Sequence, residues 1–275
     1  MFNNSYIYEK NFSKIVIIGD IHGDIKRLIN ILLNENILNN NLEWIAYNII
    51  VIQLGDQIDS LNRINNLKEW EELKDIEVIN FTNILSNLAK IKNSLFISLN
   101  GNHELMNILG NFSYVSNKSI YNERISNFQK NGIYNIILGY RPLVIKVNDL
   151  IFCHACIKKF HLDILDKYDK DIFYINEVWK NFVLLNKINN EDKEILDNII
   201  LGNDGIMWTR NLDNNMDYIL NKLNCSYIFV GHNTVDFIKL KNNIWFTDSG
   251  ISRSYGKENY QYIKIENNNI DIINI

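Results

Sequence analysis

The sequence predicts an α/β protein whose chemistry sits in loops at strand ends. Three observations carry this. Short, largely β-branched runs recur along the 275 residues, as at Ile15–Ile18, Asn48–Leu54 and Ser94–Leu99. Each run ends in Gly paired with Asp or Asn, so a sharp turn follows a buried strand. Segments with apolar residues at helical spacing then follow these turns.

Composition narrows the class. With 47% hydrophobic and 22% charged residues the chain can build a large core, and one Pro with 12 Gly excludes collagen-like or disordered character. A net charge of −4 offers no basic field for nucleic acid, which disfavours a nuclease. No long uncharged apolar run suggests a membrane span, and Met1–Asn11 lacks a signal-peptide core. Three Cys argue against a disulfide framework and for a reducing compartment, so a cytoplasmic location is expected. Asn is abundant in short runs that mark turns.

Ile15–Ile18 runs into Gly19-Asp20-Ile21-His22-Gly23. Asp20 and His22 are two apart, so in extended chain a carboxylate and an imidazole share one side. Hard oxygen beside borderline nitrogen suits a first-row divalent metal, although a helix N-cap with a stray His would read the same. Ile25, Leu28, Ile29, Leu32 and Leu33 then keep helical spacing, with Asp24 as N-cap.

Asn48–Leu54 repeats the layout and ends in Gly55-Asp56-Gln57-Ile58-Asp59. Asp56 is placed as Asp20 is, and its two oxygens can be shared between two cations. Asp59 is better placed behind the ligands. Leu67–Lys92 reads as a long helix or helix pair with a solvated charged face. Ser94–Leu99 gives a third copy, ending in Asn100-Gly101-Asn102-His103-Glu104. Asn102 offers an amide oxygen, His103 beside it an imidazole suited to general acid work, and Glu104 a carboxylate to tie the loop.

Helical pieces are expected at Leu105–Leu109 and Ile120–Lys130, with a loop over Asn111–Lys118. Leu143–Val147 and Leu150–Phe152 read as a hairpin about Asn148-Asp149, ending in Cys153-His154-Ala155-Cys156. Zinc or redox chemistry of the two thiols is one reading. A strand-end His154 explains the stretch without a second Cys pair.

Ile157–Ile200 is mostly helical, expected as an insertion beside the active face, with Glu191–Glu194 on a solvated surface and His161 as an ordinary surface or packing residue. Arg210, after the apolar anchor Ile206-Met207-Trp208, is either a phosphate clamp or a surface salt bridge. Ser226–Val230 ends in Gly231-His232-Asn233, and Asn243–Phe246 precedes Asp248-Ser249-Gly250-Ile251-Ser252-Arg253. Tyr260–Ile265 and Ile270–Ile273 close the chain as a hairpin.

Four of the five His lie at strand ends or in the loops that follow them. Asp20, His22, Asp56, Asn102, His154 and His232 thus form a sensible ligand set for two metals, of Mn, Fe or Zn type rather than Ca.

Gly-Asp-Ile-His-Gly at 19–23, Gly-Asp-Gln-Ile-Asp at 55–59, Gly-Asn-His-Glu at 101–104, His154 and Gly-His-Asn at 231–233 resemble, in order, the motifs of calcineurin-like metallophosphoesterases, specifically the phosphoprotein-phosphatase branch. Gly-Asn-His-Glu-Leu-Met-Asn, Tyr114-Val115-Ser116, Met-Trp-Thr-Arg at 207–210 and Asp-Ser-Gly-Ile-Ser-Arg at 248–253 are similar to the Shewanella-like protein phosphatases. The resemblance implies a four-layer α/β/β/α sandwich in a single domain over 1–275, with helical insertions at about 60–93, 104–135 and 157–200. It implies Asp20, His22 and Asp56 on one metal, Asp56, Asn102, His154 and His232 on the other, and His103 with Asp59 as the acid pair. Asn102, Arg210 and Arg253 would hold phosphate.

The implied reaction is phosphomonoester hydrolysis by a bridging hydroxide, on phosphorylated protein or a small phosphoester. A dinucleoside polyphosphate or other nucleotide hydrolase, or a catalytically silent binding protein, is the alternative. The sequence departs from the family at Ser60-Leu61, where an Arg-Gly pair is usual and the Arg contacts phosphate.

Overall fold

The computed structural model describes residues 6–61, 75–116, 121–185 and 187–275. Two sheets form its centre. The five-stranded sheet contains β2 (Lys14–Ile18), β3 (Ile49–Gln53), β4 (Leu95–Ser98), β10 (Gln261–Glu266) and β11 (Asn269–Asn274), in the order β11-β10-β2-β3-β4. The six-stranded sheet contains β1 (Ile7–Tyr8), β5 (Val144–Val147), β6 (Leu150–Cys153), β7 (Tyr227–Val230), β8 (Lys239–Lys241) and β9 (Ile244–Phe246), in the order β1-β5-β6-β7-β9-β8.

Alternation along each strand makes the layers. Ile15, Ile17, Ile50 and Ile52 meet Ile145, Val147, Phe152 and Phe229 between the sheets. Their neighbours Val16, Ile18, Ile49 and Val51 face the other way, onto Leu28, Ile31, Val78 and Leu85. These last belong to α1 (Ile25–Asn34) and α2 (Asp75–Ile91). Successive strand residues point to opposite faces, so a run such as Lys-Ile-Val-Ile-Ile serves two cores at once. Each fully buried Ile contributes roughly 1.5–3 kcal/mol relative to exposure.

The outer face of the six-stranded sheet, with Ile151, Ile228, Val230 and Ile244, is covered by the segment expected as the 157–200 insertion. It contains α6 (Lys159–Lys167), α7 (Tyr174–Lys180) and α8 (Asn190–Ile195). Two π-helical stretches, Asn181–Leu185 and Leu196–Ile200, continue α7 and α8. The segment is thus the fourth layer of the sandwich. Asp192, expected on its solvated surface, is instead buried and accepts the Tyr174 hydroxyl at 2.9 Å. His161 is buried too, its ring held by Lys158 N–H and Asp204 O.

The expected helices at 105–109 and 120–130 are present as α3 (Asn102–Ile108) and α4 (Tyr121–Phe128). The expected Leu67–Lys92 helix is seen from Asp75, its earlier part lying outside the described residues. Not foreseen were α5 (Ile133–Gly139), β1, β8 and the helix at Met216–Leu223. β1 is two residues long and exists because Tyr6 and Tyr8 carbonyls accept from Lys146 and Asn148. α9 (Met216–Leu223) ends on Asn224 in the left-handed conformation. Asn fills many such turns, including Asn148 between β5 and β6 and Asn267-Asn268 between β10 and β11. No helix among the described residues is long and apolar enough to cross a membrane.

Parallel pairing decides where the site lies. β2, β3 and β4 run parallel, as do β6, β7 and β9. Their C-terminal ends, and the loops that leave them, therefore gather on one edge, the position where open α/β sheets bind ligands.

A candidate metal centre shared through Asp56

The loop after β3 is the centre of the site. Asp56 O accepts the amides of Ile21 and His22, each at 3.0 Å, which ties this loop to the one after β2. The Glu104 carboxylate accepts Asp56 N and Gln57 N at 2.8 Å and Gly101 N at 2.7 Å, which ties in the loop after β4. Buried Glu104 thus replaces sheet hydrogen bonds that these turns cannot make. His22, Asp56, Asp59 and His232 have φ of 41°, 52°, 67° and 60°. Left-handed backbone at non-Gly residues costs of order 1–3 kcal/mol and persists where surroundings impose it.

Four imidazoles converge on Asp56. Its Oδ2 lies 3.9 Å from His22 Nε2, 3.8 Å from His103 Nε2 and 3.3 Å from His154 Nε2. Donor atoms of His22, Asp56 and His103 all fall within 4.8 Å of one another, as do those of Asp56, His154 and His232. Asp56 belongs to both groups. Asn102 joins the second, its Oδ1 being 3.0 Å from His154 Nε2. Asp20 is 4.0 Å from His22 Nε2 and turns both oxygens to His232 N–H at 3.2 and 3.1 Å. It borders both groups without belonging to either.

These residues fit divalent cations on two counts. His22 Nδ1 donates to Ile58 O at 2.9 Å, His154 Nδ1 to Leu54 O at 2.7 Å and His232 Nε2 to Trp208 O at 2.9 Å. A carbonyl only accepts, so each ring keeps its proton on that nitrogen and turns a lone pair from the other. The second count is charge. Asp20, Asp56, Glu104 and Asp248 are all buried. Burial, then the charges of Asp248 and Asp56, push the Asp20 carboxyl well above the usual carboxylate range. Burial would raise Asp56 as well, but His154, His103 and His22 hold it well below. Such a group of carboxylates is relieved by bound cations.

The thiol alternative does not fit. Cys153 and Cys156 are buried, and their Sγ atoms approach Ala155 O and Ile157 O. Burial pushes the Cys156 thiol up to about 12 and holds the Cys153 thiol well above the usual thiol range. Neither supplies a thiolate near neutral pH.

A family model of calcineurin-like phosphoesterases matches residues 13–236. The chain belongs to the calcineurin-like phosphoesterases. Over 300 positions it is 29% identical to Shewanella-like protein phosphatase 1 of Plasmodium berghei, covering 99% of this chain and 77% of that one. A 107-residue stretch, 39% of this chain and 25% of the relative, is 31% identical to Shewanella-like protein phosphatase 2 of Arabidopsis thaliana. Among solved structures, a cold-active protein-tyrosine phosphatase of a psychrophilic Shewanella species aligns with a TM-score of 0.78 at 21% identity, over 97% of this chain and 78% of that one. A protein serine/threonine phosphatase from Saccharomyces cerevisiae gives 0.55 at 15%, over 99% and 83%. At these identities the two structures speak for the fold alone.

Beside the phosphoesterase's ligand groups stands a dyad. His103 Nδ1 meets Asp59 Oδ2 at 2.8 Å, as expected of an acid and the carboxylate that orients it. Sequence reasoning missed what lies behind Asp59. Arg124 Nη2 donates to Asp59 Oδ1 at 2.8 Å, Arg124 Nε to Asn107 Oδ1 at 2.6 Å, and Asn107 Nδ2 to both Asp59 oxygens. All three side chains are buried. Arg124→Met is expected to deprive the buried Asp59 carboxylate of its guanidinium partner and to cost about 3–5 kcal/mol in urea denaturation, much of it recovered by adding Asp59→Asn.

The expected phosphate-side residues differ in placement. Arg210 is exposed and sits against the His232 loop, Nη1 donating to His232 O at 3.0 Å. Arg253 directs Nε and Nη2 to the buried Asp24 carboxylate at 2.8 and 3.0 Å. That fork is engaged with a carboxylate of the chain itself. Ser60, at the family's Arg position, meets Ser116 Oγ at 2.9 Å.

Gly231 is a sensitive point, because a Cβ there would collide with Asp20 Oδ1. Gly231→Ala is expected to weaken divalent metal binding about 10–100-fold in a calorimetric titration. Unchanged affinity would separate Asp20 from the metal site.

Proposed function

We propose that this phosphoesterase hydrolyses phosphate monoesters on protein side chains at a two-cation site. The sharing of Asp56 between two donor groups, beside the His103–Asp59 dyad, carries this reading. His22, Asp20 and Asp56 would hold one ion, and Asp56, Asn102, His154 and His232 the other. Two bound cations of Mn, Fe or Zn type would supply neutralisation of the phosphoryl oxygens and acidification of a water.

The chain's own residues do the rest. His103 carries the proton for the leaving oxygen on Nε2, while Asp59 fixes Nδ1–H and the ring plane. Arg210, at the rim, is the guanidinium available to orient phosphate by its planar fork. The mouth has two aromatic walls, with Tyr114 edge-on to His103 at 4.9 Å between ring centres and Tyr255 5.8 Å from His22. Flat walls favour an aryl phosphate, so phosphotyrosine is the expected preference.

A panel of phosphotyrosine, phosphoserine and phosphothreonine peptides, with diadenosine tetraphosphate as competitor and Mn²⁺, Fe²⁺ or Zn²⁺ supplied in turn, tests it. The expected order of kcat/KM puts phosphotyrosine peptides first. Faster turnover of the dinucleotide would replace the proposal with a nucleotide hydrolase, and no turnover of any ester would make it a binding protein.

A further inference from the structure

The loop after β7 carries His232, and two carboxylates hold it. Asp20 accepts the His232 amide, as described above. Asp248, which the metal-centre reading does not use, holds the other end. Its Oδ2 accepts the Thr234 hydroxyl at 2.6 Å, and its backbone carbonyl accepts Val235 N at 2.8 Å. Its Oδ1 accepts Gly250 N at 3.0 Å, which closes the turn that Asp248 itself begins. A buried carboxylate is thus fastened two residues beyond a candidate metal ligand.

Asp248 reaches this place because β9 runs parallel beside β7. Thr247 extends the pairing, its N and Oγ1 donating to Val230 O at 2.8 and 2.9 Å. The chain then passes against the loop after β2. That approach is close, since a Cβ on Gly19 would stand 2.6 Å from Thr247 O and 3.1 Å from Asp248 Cα. Asp248 therefore adjoins the loops of both Asp20 and His232, and its charge is among those that push the Asp20 carboxyl up.

The bond to Thr234 does more than close a turn. A hydroxyl donating to a carboxylate is a charge-assisted contact, and 2.6 Å is the length expected of a strong one. Thr234 itself is exposed, so no core packing presses its hydroxyl inward. The backbone it restrains is the left-handed turn at His232, with φ of 60°, a conformation that persists where surroundings impose it. The imidazole is fixed at Nε2 by Trp208 O, so the path of the loop sets where Nδ1 points. Asp248 stands outside both donor groups, and its influence on a cation runs through His232.

We propose that Asp248 and Thr234 are positioning residues of the metal centre, locking the loop that aims His232 at the donor group of Asp56 and His154. The inference rests on the metal-centre reading above.

The test titrates the metal-free full chain with Mn²⁺ by calorimetry. Thr234→Val removes the hydroxyl and keeps the branched shape, and it should weaken Mn²⁺ about tenfold or more. Thr234→Ser keeps the hydroxyl and should restore wild-type affinity. Asp248→Asn puts an amide where Thr234 and Gly250 find a carboxylate, and it should weaken Mn²⁺ about tenfold or more as well. Metal-free Thr234→Val should melt with the wild type, because its side chain lies at the surface. Unchanged Mn²⁺ affinity in Thr234→Val or in Asp248→Asn would overturn the positioning role. A loss as large in Thr234→Ser as in Thr234→Val, in step with a lower melting temperature of the metal-free protein, would make the contact a general structural one and overturn it too. Failure of the wild-type chain to bind Mn²⁺, Fe²⁺ or Zn²⁺ would remove the metal centre itself, and this role with it.

Discussion

Asp56→Asn is expected to abolish metal binding and turnover together while the protein stays folded. The carboxylate lies within 4 Å of Nε2 of His22, His103 and His154, and it belongs to both donor groups. An amide is nearly isosteric, so packing survives, and its N–H₂ can still donate to an inward-facing imidazole lone pair. What disappears is the negative charge shared between the two groups. Charge stabilisation by metal is worth several kcal/mol in the transition state. At 1.36 kcal/mol per decade, a loss of at least about 10³-fold in kcat is expected. Metal content by plasma emission spectrometry, thermal denaturation and p-nitrophenyl phosphate kinetics check it. Full activity in this variant would remove Asp56 from the centre.

His103→Asn separates two roles that geometry alone permits. His103 Nε2 lies in the donor group of His22 and Asp56, so it could ligate a cation. Its Nδ1, unlike those of His22 and His154, is tied to a carboxylate rather than to a carbonyl. A carboxylate partner stabilises an imidazolium, the form that donates a proton. The expected outcome is therefore a fall in kcat of about 10²–10⁴-fold on alkyl phosphates, a smaller fall on p-nitrophenyl phosphate, and metal content near wild type. The leaving-group dependence arises because a good leaving oxygen departs without a proton. Loss of metal in this variant would make His103 a ligand and leave the acid role vacant.

Both expectations start from residues that the sequence exposes, because each lies in a short loop directly after an apolar strand. That arrangement is local. Strand period, the terminal Gly and the polar residue after it occupy a handful of consecutive positions, so β2, β3, β4, β6 and β7 and their six candidate ligands were legible. The two-faced burial of Ile15–Ile18 was legible for the same reason, since an unbroken β-branched run leaves no polar face to give to solvent.

Other features had no local trace. Arg124 reads as one charge in a helical stretch, and only folding brings it 65 residues back to Asp59. Arg253 reads as a candidate to hold phosphate, and its fork closes on Asp24, 229 residues away. β1 is a strand only because β5 offers a partner, and α5 is short enough that its period carries little signal. The segment at 157–200 read as an insertion because helical spacing tells which face is apolar but not which sheet will cover it.

By itself, then, the sequence determined the α/β class, the strand ends and the donor chemistry, since these follow from the stereochemistry of neighbouring residues. Tertiary structure alone decided which donors share Asp56, that Arg124 stands behind Asp59, and that Arg253 closes on Asp24. Those are contacts between side chains distant in the chain, and their energies depend on burial and distance, neither of which is written in residue spacing.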